Sequence, residues 1–478
     1  MRTKATLIAV MVSLSVAGAY AADWPWIFGP NRNLTSDQTR LLRTWPKEGP
    51  KVLWKAAVGM GFGGPAISGG KVYLLDRDVK VGDTLRVFDL ATGKELWSFA
   101  YDAPGSFMFN GSRTTPTVDG DRVYTVGPLG DLYCTSTKTQ KPVWHKNIWT
   151  DFGGGATVPA FREPPSGFGQ SGAARGGAPA GPPGGQPGAR SGMPPAPPAG
   201  QQGPPAPGSQ LPTWGITQNP LLYGNLIIVA SQAPQAGVVA FDKLTGDLKW
   251  KTDPLSGNTG YVSPSIVKVG GESHVVMATA SVGRGRSASG GSVNGIDPLS
   301  GKVLWTYTNW QCAIPVPHAV DAGEGRVLIS GGYSAGTAMI KVQKKADGSY
   351  EVAELFKNAD FGSHTQPPIL YKDHFYAQYT INERSDGMVC MTMDGQVKWK
   401  TAEAPPFVRG GSILADGLLL ATDGNTMLYL VEPDPSGFKP LASAVMLEPG
   451  TNWAPLALVD GKLFIRDQKE LKVLQVAQ

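Results

Sequence analysis

Residues that bind metals or act as nucleophiles are few in this chain, and their spacing matches no common catalytic pattern. Neither an HxH nor an HExxH motif occurs among the five histidines, and no CxxC occurs among the three cysteines: His145, His274, His318, His364, His374, Cys134, Cys312 and Cys390. No GxSxG elbow and no P-loop is present either. The sequence therefore predicts no catalytic residue and no metal ligand, and we expect the cysteines to be buried free thiols.

The composition favours short strands joined by tight turns. Glycine and proline contribute 62 and 40 of the 478 residues, whereas only 17% of the chain is charged. This composition disfavours a coiled coil or a helical bundle, which are rich in alanine, leucine, glutamate and lysine. The net charge of +5 is small for the length, and no dense basic stretch of the kind that binds nucleic acid is present.

The first residues have the pattern of an export signal. Arg2 and Lys4 precede an apolar stretch at positions 5–16, and Ala19-Tyr20-Ala21 has the small-residue pattern of a cleavage site. We expect residues 1–21 to be a signal peptide that is removed near Ala21, followed by an N-terminal segment at 22–50. No later segment is apolar enough to span a bilayer. The sequence thus predicts a periplasmic or extracellular monomer without a transmembrane segment.

A repeated hairpin organises the rest of the chain. Each copy has an apolar strand, a turn with Asp and Thr-Gly or Ser-Gly, and a second strand that ends in tryptophan. The clear copies are Val87–Trp97, Ala240–Trp250 and Gly295–Trp305, and the weaker ones are Cys134–Trp144 and Cys390–Trp399. Glycine accepts the positive φ that such a turn requires. A second hairpin, which begins near a proline, precedes each copy, so that each unit has four antiparallel strands and resembles a propeller blade.

The spacing of these units predicts an all-β, eight-bladed propeller over residues 51–478, with seven blades as the alternative because the fifth and seventh units are degenerate. The last unit, which begins at Pro455, stops after its third strand. The segment Lys51–Trp54 resembles a fourth strand without a blade before it. We therefore expect this N-terminal strand to complete the last blade and close the ring, which leaves no open sheet edge between the termini.

A glycine- and proline-rich insertion separates the second and third blades. Residues 161–210 contain thirteen glycines and thirteen prolines and show no apolar periodicity. Such a sequence cannot bury enough apolar surface to offset its conformational entropy. We expect a disordered insertion at 161–212 beside the end of the central channel, either as a passive loop or as a docking segment for a partner.

The repeat A-x-D-x-x-T-G-K-x-x-W resembles that of the propellers of the pyrroloquinoline-quinone (PQQ) type. This superfamily includes quinoprotein alcohol dehydrogenases and non-catalytic members such as the outer-membrane-protein assembly propeller. The segment Asp23–Asn33 is also similar to the N-terminal segment of exported PQQ-repeat proteins. The resemblance implies that the repeat tryptophans pack between neighbouring blades and do not stack on a cofactor: Trp97, Trp144, Trp250, Trp305 and Trp399. The resemblance covers nearly all of residues 51–478 apart from the insertion.

The resemblance also implies where a ligand would bind, namely at the channel mouth, which is the end of the central channel where the inner strands begin. The residues that precede the inner strands at this end are Phe62, Arg113, Thr217, Tyr261, Ile314, His364, Arg409 and Asn452. The set contains no carboxylate, and an adjacent Cys–Cys pair is absent from the chain. In related dehydrogenases a calcium ion with Glu and Asn ligands accompanies PQQ, and a cation needs negatively charged oxygen ligands. The loop carboxylates Asp151, Asp360 and Glu403 are the remaining candidates for such a role.

Two functional hypotheses follow. The first is a non-catalytic binding or scaffold protein that binds a small anionic ligand or an envelope protein at the mouth, without a cofactor, through Arg113, Tyr261, His364, Arg409 and Asn452. Arginine offers bidentate hydrogen bonds to carboxylates. Alternatively, these side chains only bind loop carbonyls. The second hypothesis is a PQQ-dependent alcohol or sugar dehydrogenase with calcium and an atypical site.

Overall fold

A computed structural model describes residues 23–155, 210–283, 287–381 and 384–478. The predicted signal peptide lies outside the described residues, and so does the predicted insertion except for positions 210–212, where Leu211 is buried. No helix in these described ranges is long and apolar enough to cross a membrane.

Eight antiparallel sheets form the blades of a propeller, as the sequence predicts. Two strands precede the first complete blade, β1 (Thr35–Ser36) and β2 (Val52–Ala57). The first four blades, each given from the inner to the outer strand, are β3 (Ala66–Ser68), β4 (Lys71–Asp78), β5 (Gly82–Asp89) and β6 (Glu95–Ala100); β7 (Thr117–Asp119), β8 (Arg122–Val126), β9 (Asp131–Ser136) and β10 (Pro142–Asn147); β11 (Leu221–Tyr223), β12 (Leu226–Ala233), β13 (Ala236–Asp242) and β14 (Leu248–Lys251); and β15 (Ser265–Val269), β16 (Glu272–Ala278), β17 (Val293–Ile296) and β18 (Val303–Tyr307).

The other four blades follow the same order. They are β19 (Val320–Asp321), β20 (Arg326–Gly331), β21 (Gly336–Lys344) and β22 (Tyr350–Asn358); β23 (Ile369–Tyr371), β24 (His374–Ile381), β25 (Arg384–Thr392) and β26 (Val397–Lys400); β27 (Ser412–Ala415), β28 (Leu418–Thr422), β29 (Met427–Glu432) and β30 (Lys439–Val445); and β31 (Ala457–Val459), β32 (Lys462–Arg466), β33 (Glu470–Gln475) and β2. A 3₁₀ helix at Thr150–Phe152 follows the second blade.

The eighth blade joins the two ends of the chain. Strand β2 pairs antiparallel with the C-terminal strand β33, with Trp54 opposite Val473. The prediction of eight blades closed by an N-terminal strand is therefore confirmed, and the seven-blade alternative is wrong. The degenerate fifth and seventh units fold into full four-stranded blades because their alternating apolar residues are retained even where the tryptophan is absent.

The repeat tryptophan and the repeat glycine act together across blade boundaries. The indole N–H of Trp144 in the second blade donates to the carbonyl of Lys243, 3.2 Å away in the turn of the third blade. Gly246 in that turn has φ +77°, and a Cβ there would lie 2.8 Å from the Trp144 ring. The same indole-to-turn hydrogen bond recurs at Trp54, Trp250 and Trp399. The three cysteines are buried and free, as expected.

Residues 23–45, which we call the strap, run across the end of the channel opposite the mouth. Trp24 exchanges backbone hydrogen bonds with Ile67 at the end of an inner strand of the first blade. Strand β1 lies parallel to β27 of the seventh blade, with Thr35 opposite Leu414. Further hydrogen bonds from the strap reach the second, third and eighth blades. The strap therefore ties together blades that are distant in the ring.

His318 is a polar side chain trapped beneath the strap. It is 6% exposed, and the Phe28 ring packs edge-on against it at a centroid distance of 5.0 Å. Burial, together with the nearby positive charge of Arg32, lowers the pKa of His318 from 6.5 to about 4. The imidazole is therefore neutral at neutral pH.

We predict that the strap contributes strongly to stability. Leu34 is 1% exposed and packs against blade residues that include Ile369 and Leu414. Replacing Leu34 by alanine should lower the free energy of unfolding by about 2–4 kcal/mol, because it leaves a cavity in a buried cluster. The control is Leu244→Ala at a residue that is 55% exposed. Chemical denaturation that gave equal losses for the two variants would contradict this role.

The trapped His318 predicts a pH-dependent loss of stability. Between pH 6.5 and about 4 the unfolded chain binds a proton at this residue that the folded chain does not. The free energy of unfolding should therefore fall over this range, by roughly 3 kcal/mol for the full shift. A pH series of denaturation curves measures it, and His318→Gln should flatten this part of the profile, whereas His374→Gln should leave it unchanged. An unchanged profile in His318→Gln would contradict the prediction.

Candidate functional site

The loops at the channel mouth bring six half-buried aromatic side chains together. We call this set the mouth ring; its members are Phe62, Phe109, Trp214, Tyr261, Tyr333 and Trp453. Phe62, Phe109 and Trp453 contact one another, with centroid distances of 5.3 to 6.5 Å. The Trp214 and Tyr261 rings lie 4.9 Å apart. These loops connect the outer strand of one blade to the inner strand of the next, or the two middle strands of a blade, so several blades contribute to one site.

The structure places Arg113 at the mouth, where its guanidinium binds loop carbonyls. Nη2 donates to the carbonyl of Met108 at 2.8 Å, and Nε donates to that of Trp214 at 3.2 Å. The guanidinium carbon also lies 5.0 Å from the centre of the Phe62 ring. Burial lowers the pKa of Arg113 to about 10. Arg113 therefore holds two mouth loops in place. Binding of loop carbonyls is the alternative to ligand binding that the sequence analysis gave for these side chains.

Arg409 differs from Arg113 because no hydrogen bond joins its guanidinium to another residue in the described part of the chain. The guanidinium carbon lies 4.9 Å from the centre of the Trp453 ring and 6.0 Å from that of Tyr333. Its Nε is buried and has no hydrogen-bond partner. Burial lowers the pKa of Arg409 from its ordinary value, yet the group stays charged at neutral pH. The mouth thus presents a cation held between two aromatic faces.

The other three predicted residues have different environments. Tyr261 belongs to the mouth ring, and burial raises its pKa to about 12, so that its hydroxyl stays protonated. His364 is 4% exposed and packs against the Tyr333 ring at 4.5 Å. Asn452 is 2% exposed, and its Nδ2 donates to the carbonyl of Glu448 at 2.7 Å. The structure therefore places His364 and Asn452 behind the mouth surface.

Sequence reasoning missed most of the mouth ring. Phe109, Trp214, Tyr333 and Trp453 were not among the predicted residues, because we counted only one position before each inner strand. Tyr333 lies in a loop between the two middle strands of the fifth blade, which that count does not reach. The concentration of aromatic residues in the mouth loops was the available signal.

Two buried carboxylates near the mouth, Asp423 and Asp467, cap loops. Asp423 Oδ1 accepts from the backbone N–H groups of Asn425 and Met427, at 2.7 and 3.0 Å. Asp467 Oδ1 accepts from those of Lys469 and Glu470, both at 2.8 Å. The candidate carboxylates of the sequence analysis are all exposed, and among the described residues none contacts the mouth ring: Asp151, Asp360 and Glu403. No group of three or more His, Cys, Asp or Glu residues suited to a metal ion occurs in the described ranges.

Comparison with known protein families identifies the relationship. A family model described as outer membrane protein assembly factor BamB matches residues 25–162 and 209–401, which is more than half of the chain. The chain belongs to this family. The match to a PQQ-repeat propeller family agrees with the resemblance in the hairpin repeat. No curated protein sequence matches the chain significantly.

Solved structures of similar fold include BamB and several alcohol dehydrogenases. BamB from Moraxella catarrhalis is 11% identical with a TM-score of 0.54, covering 89% of this chain and 99% of that one. Quinohemoprotein alcohol dehydrogenase from Comamonas testosteroni is 12% identical with a TM-score of 0.58, and the coverage is 95% and 81%. A europium-containing methanol dehydrogenase is 10% identical with a TM-score of 0.54, and the coverage is 93% and 89%. At these identities the similarity establishes the family fold and leaves the activity open.

The described mouth residues do not fit a calcium and PQQ site of the kind that the resemblance to dehydrogenases implies. Such a site needs several carboxylate or amide oxygens around the cation. Here the half-buried charged groups of the mouth are Arg113 and Arg409. The buried Asp423 and Asp467 already accept backbone hydrogen bonds, and the buried Asp83 pairs with Arg77. The positive charge of the two arginines would disfavour a cation between them.

We predict that the two mouth arginines differ in their contribution to stability. Arg113→Gln removes hydrogen bonds to two loop carbonyls and should lower the free energy of unfolding by about 2–3 kcal/mol. Arg409→Gln removes a cation without a hydrogen-bond partner and should change it by less than about 1 kcal/mol. Denaturant titration of both variants measures the difference. A larger loss for Arg409→Gln than for Arg113→Gln would refute this assignment of roles.

Proposed function

We propose that this protein is a non-catalytic binding protein whose channel mouth captures a carboxylate-bearing ligand through Arg409. The observation that carries the proposal is the Arg409 guanidinium, which lies between Trp453 and Tyr333 without a hydrogen-bonded acceptor among the described residues. A partly desolvated cation interacts strongly with an anion because the local dielectric constant is low. A carboxylate can accept two parallel hydrogen bonds from the guanidinium.

The mouth ring supports a ligand with an apolar or aromatic body next to its carboxylate. The rings of Phe62, Phe109 and Trp453 form a continuous half-buried apolar surface beside Arg409. Aromatic side chains that stay partly exposed offer large rigid contact areas at little entropic cost. The Tyr261 hydroxyl, protonated at neutral pH, adds a hydrogen-bond donor across the mouth. The ligand is either a free small molecule or a side chain of a partner protein.

A binding role has more support than the dehydrogenase alternative. A quinone cofactor would require a Lewis acid at its carbonyl and a base for the substrate proton. The half-buried mouth side chains described here are aromatic or cationic, whereas the buried carboxylates nearby cap loops or, in the case of Asp83, pair with Arg77. The family match to an assembly factor is also compatible with a protein partner.

We further propose that the protein acts outside the cytoplasm. Residues 1–21 have the pattern of a signal peptide, and the first described residue, Asp23, is already anchored to the first blade: its carboxylate accepts from the Ser68 hydroxyl at 2.6 Å. Removal near Ala21 would therefore leave the folded strap intact. The partner or ligand would then belong to the cell envelope or the extracellular space.

Carboxylate binding at the mouth predicts a specific effect of Arg409. Benzoate and indole-3-acetate serve as probes, and isothermal titration calorimetry measures their affinity for the mature chain. Arg409→Gln should weaken binding about tenfold or more, since it removes a charge-assisted hydrogen bond. Arg409→Lys should recover part of the affinity. The control Arg40→Gln alters an exposed arginine of the strap and should leave binding unchanged.

Two outcomes would refute the proposal. The first is the absence of binding for both probes, or equal affinities in the wild type and Arg409→Gln. The second is stoichiometric uptake of PQQ in the presence of calcium, with dye-linked turnover of alcohols or aldoses. That result would establish the dehydrogenase alternative.

A further inference from the structure

A strained hairpin turn in the fifth blade carries Tyr333 to the channel mouth. The turn joins β20 to β21, and in it the Ala335 N–H donates to the Gly332 carbonyl at 3.0 Å. Its two central residues, Tyr333 and Ser334, have φ +54° and +67°. Two consecutive residues with positive φ are typical of a type I′ turn, which favours Asn-Gly and similar pairs. For a residue as bulky as tyrosine this left-handed conformation is disfavoured, so the chain retains Tyr333 against a backbone cost.

The turn is packed too tightly to relax. A Cβ on Gly332 would clash with the imidazole of His364, and a Cβ on Gly331 would lie 2.8 Å from Sγ of Cys312. His364 belongs to the loop between the fifth and sixth blades, and Cys312 to the loop between the fourth and fifth. The two positions before Tyr333 therefore leave room only for glycine, and the turn is fixed between two neighbouring mouth loops.

This fixed turn places the Tyr333 ring beside the cation of the mouth. The centre of the ring lies 6.0 Å from the guanidinium carbon of Arg409 and 4.5 Å from the centre of the buried His364 ring. Tyr333 itself stays half-buried. The centre of the Trp453 ring lies 4.9 Å from the same guanidinium carbon. Arg409 is therefore bordered by one ring from the fifth blade and by one from the loop that precedes the eighth.

We propose that Tyr333 determines the specificity of the mouth and selects carboxylates whose body is planar and aromatic. This inference rests on the proposed function of Arg409 and narrows its class of ligand. A carboxylate that accepts two parallel hydrogen bonds from the guanidinium carries its substituent into the space bordered by Tyr333 and Trp453. A flat aromatic body gains a favourable pairing with these rings that a puckered saturated body of the same size does not gain.

The rigidity of the turn is what makes the Tyr333 ring selective. A ring on a mobile loop would move aside for a thicker ligand, whereas this turn is held against His364 and Cys312. A contact that is already in place before binding also loses little conformational entropy when the ligand arrives. The ring therefore excludes thick ligand bodies and favours flat ones, and specificity arises from both effects.

The test compares benzoate with cyclohexanecarboxylate, which carry the same charge and a ring of the same size but differ in planarity. Isothermal titration calorimetry at neutral pH measures both affinities for the mature full-length chain. We expect benzoate to bind about two- to tenfold more tightly, which is the range that an aromatic pair contributes. Arg409→Gln should weaken the binding of both acids, because both use the same carboxylate contact.

Variants of the turn separate the effect of the ring from the folding of the loop. Tyr333→Asn combined with Ser334→Gly gives the turn a sequence that type I′ geometry favours, so the hairpin should stay folded, and thermal melting checks this. This double variant should lose most of the preference for benzoate, whereas Tyr333→Phe should keep it. The control Tyr350→Asn alters the hairpin at the opposite end of the same blade and should leave the preference unchanged.

Two outcomes would overturn the role of Tyr333. One is equal affinity of the wild type for the two acids, and the other is an unchanged preference for benzoate in the double variant. If binding depends on Arg409 in either case, the proposed function stands without this role, so the two failures are distinguishable. Absence of binding for both acids would overturn both proposals.

Discussion

Pairing between the N-terminal strand β2 and the C-terminal strand β33 is the interaction on which the rest of the structure depends. A propeller blade buries its two faces only against its neighbours, so a ring that is open at one point would expose two blade faces and a strand edge. Closure through β2 makes the eight inner strands converge on one channel. It also fixes both ends of that channel, since the mouth loops precede the inner strands and the strap crosses their far ends.

The residues of the hairpin repeat contribute to one end of the strands and not to the other. The turn that contains the repeat glycine packs under the tryptophan of the preceding blade, as Gly246 does under Trp144, and this contact sets the spacing of the blades. The mouth loops lie at the opposite ends of the strands and take no part in that contact. Solved structures of this fold include BamB and an alcohol dehydrogenase, so the propeller by itself does not decide the activity.

The buried and half-buried arginines of the propeller fall into two groups. Arg77, Arg113 and Arg466 donate to loop carbonyls or to a carboxylate, so each links loops of the mouth. Arg77, for example, pairs with Asp83 and binds the carbonyls of Ala103 and Gly105. Among the described residues, the Arg409 guanidinium has no such acceptor, and the Arg32 guanidinium donates only to the Leu222 carbonyl. A partly desolvated charge without an acceptor is retained at a net cost, which is why the proposed ligand site is placed at Arg409.

The sequence by itself determined the fold of this protein. Strand period, turn residues and the recurring tryptophan are local signals, and the orphan strand at Lys51–Trp54 was sufficient to predict closure by eight blades. The sequence also located Arg113, Tyr261 and Arg409 at the mouth, because the loops that carry these three residues directly precede inner strands. The tertiary structure alone decided which of these side chains bind loop carbonyls, that Tyr333 and Trp453 flank Arg409, and that the strap places Phe28 against His318. These contacts join residues far apart in the chain, and their partners depend on loop conformations that no local pattern in the sequence encodes.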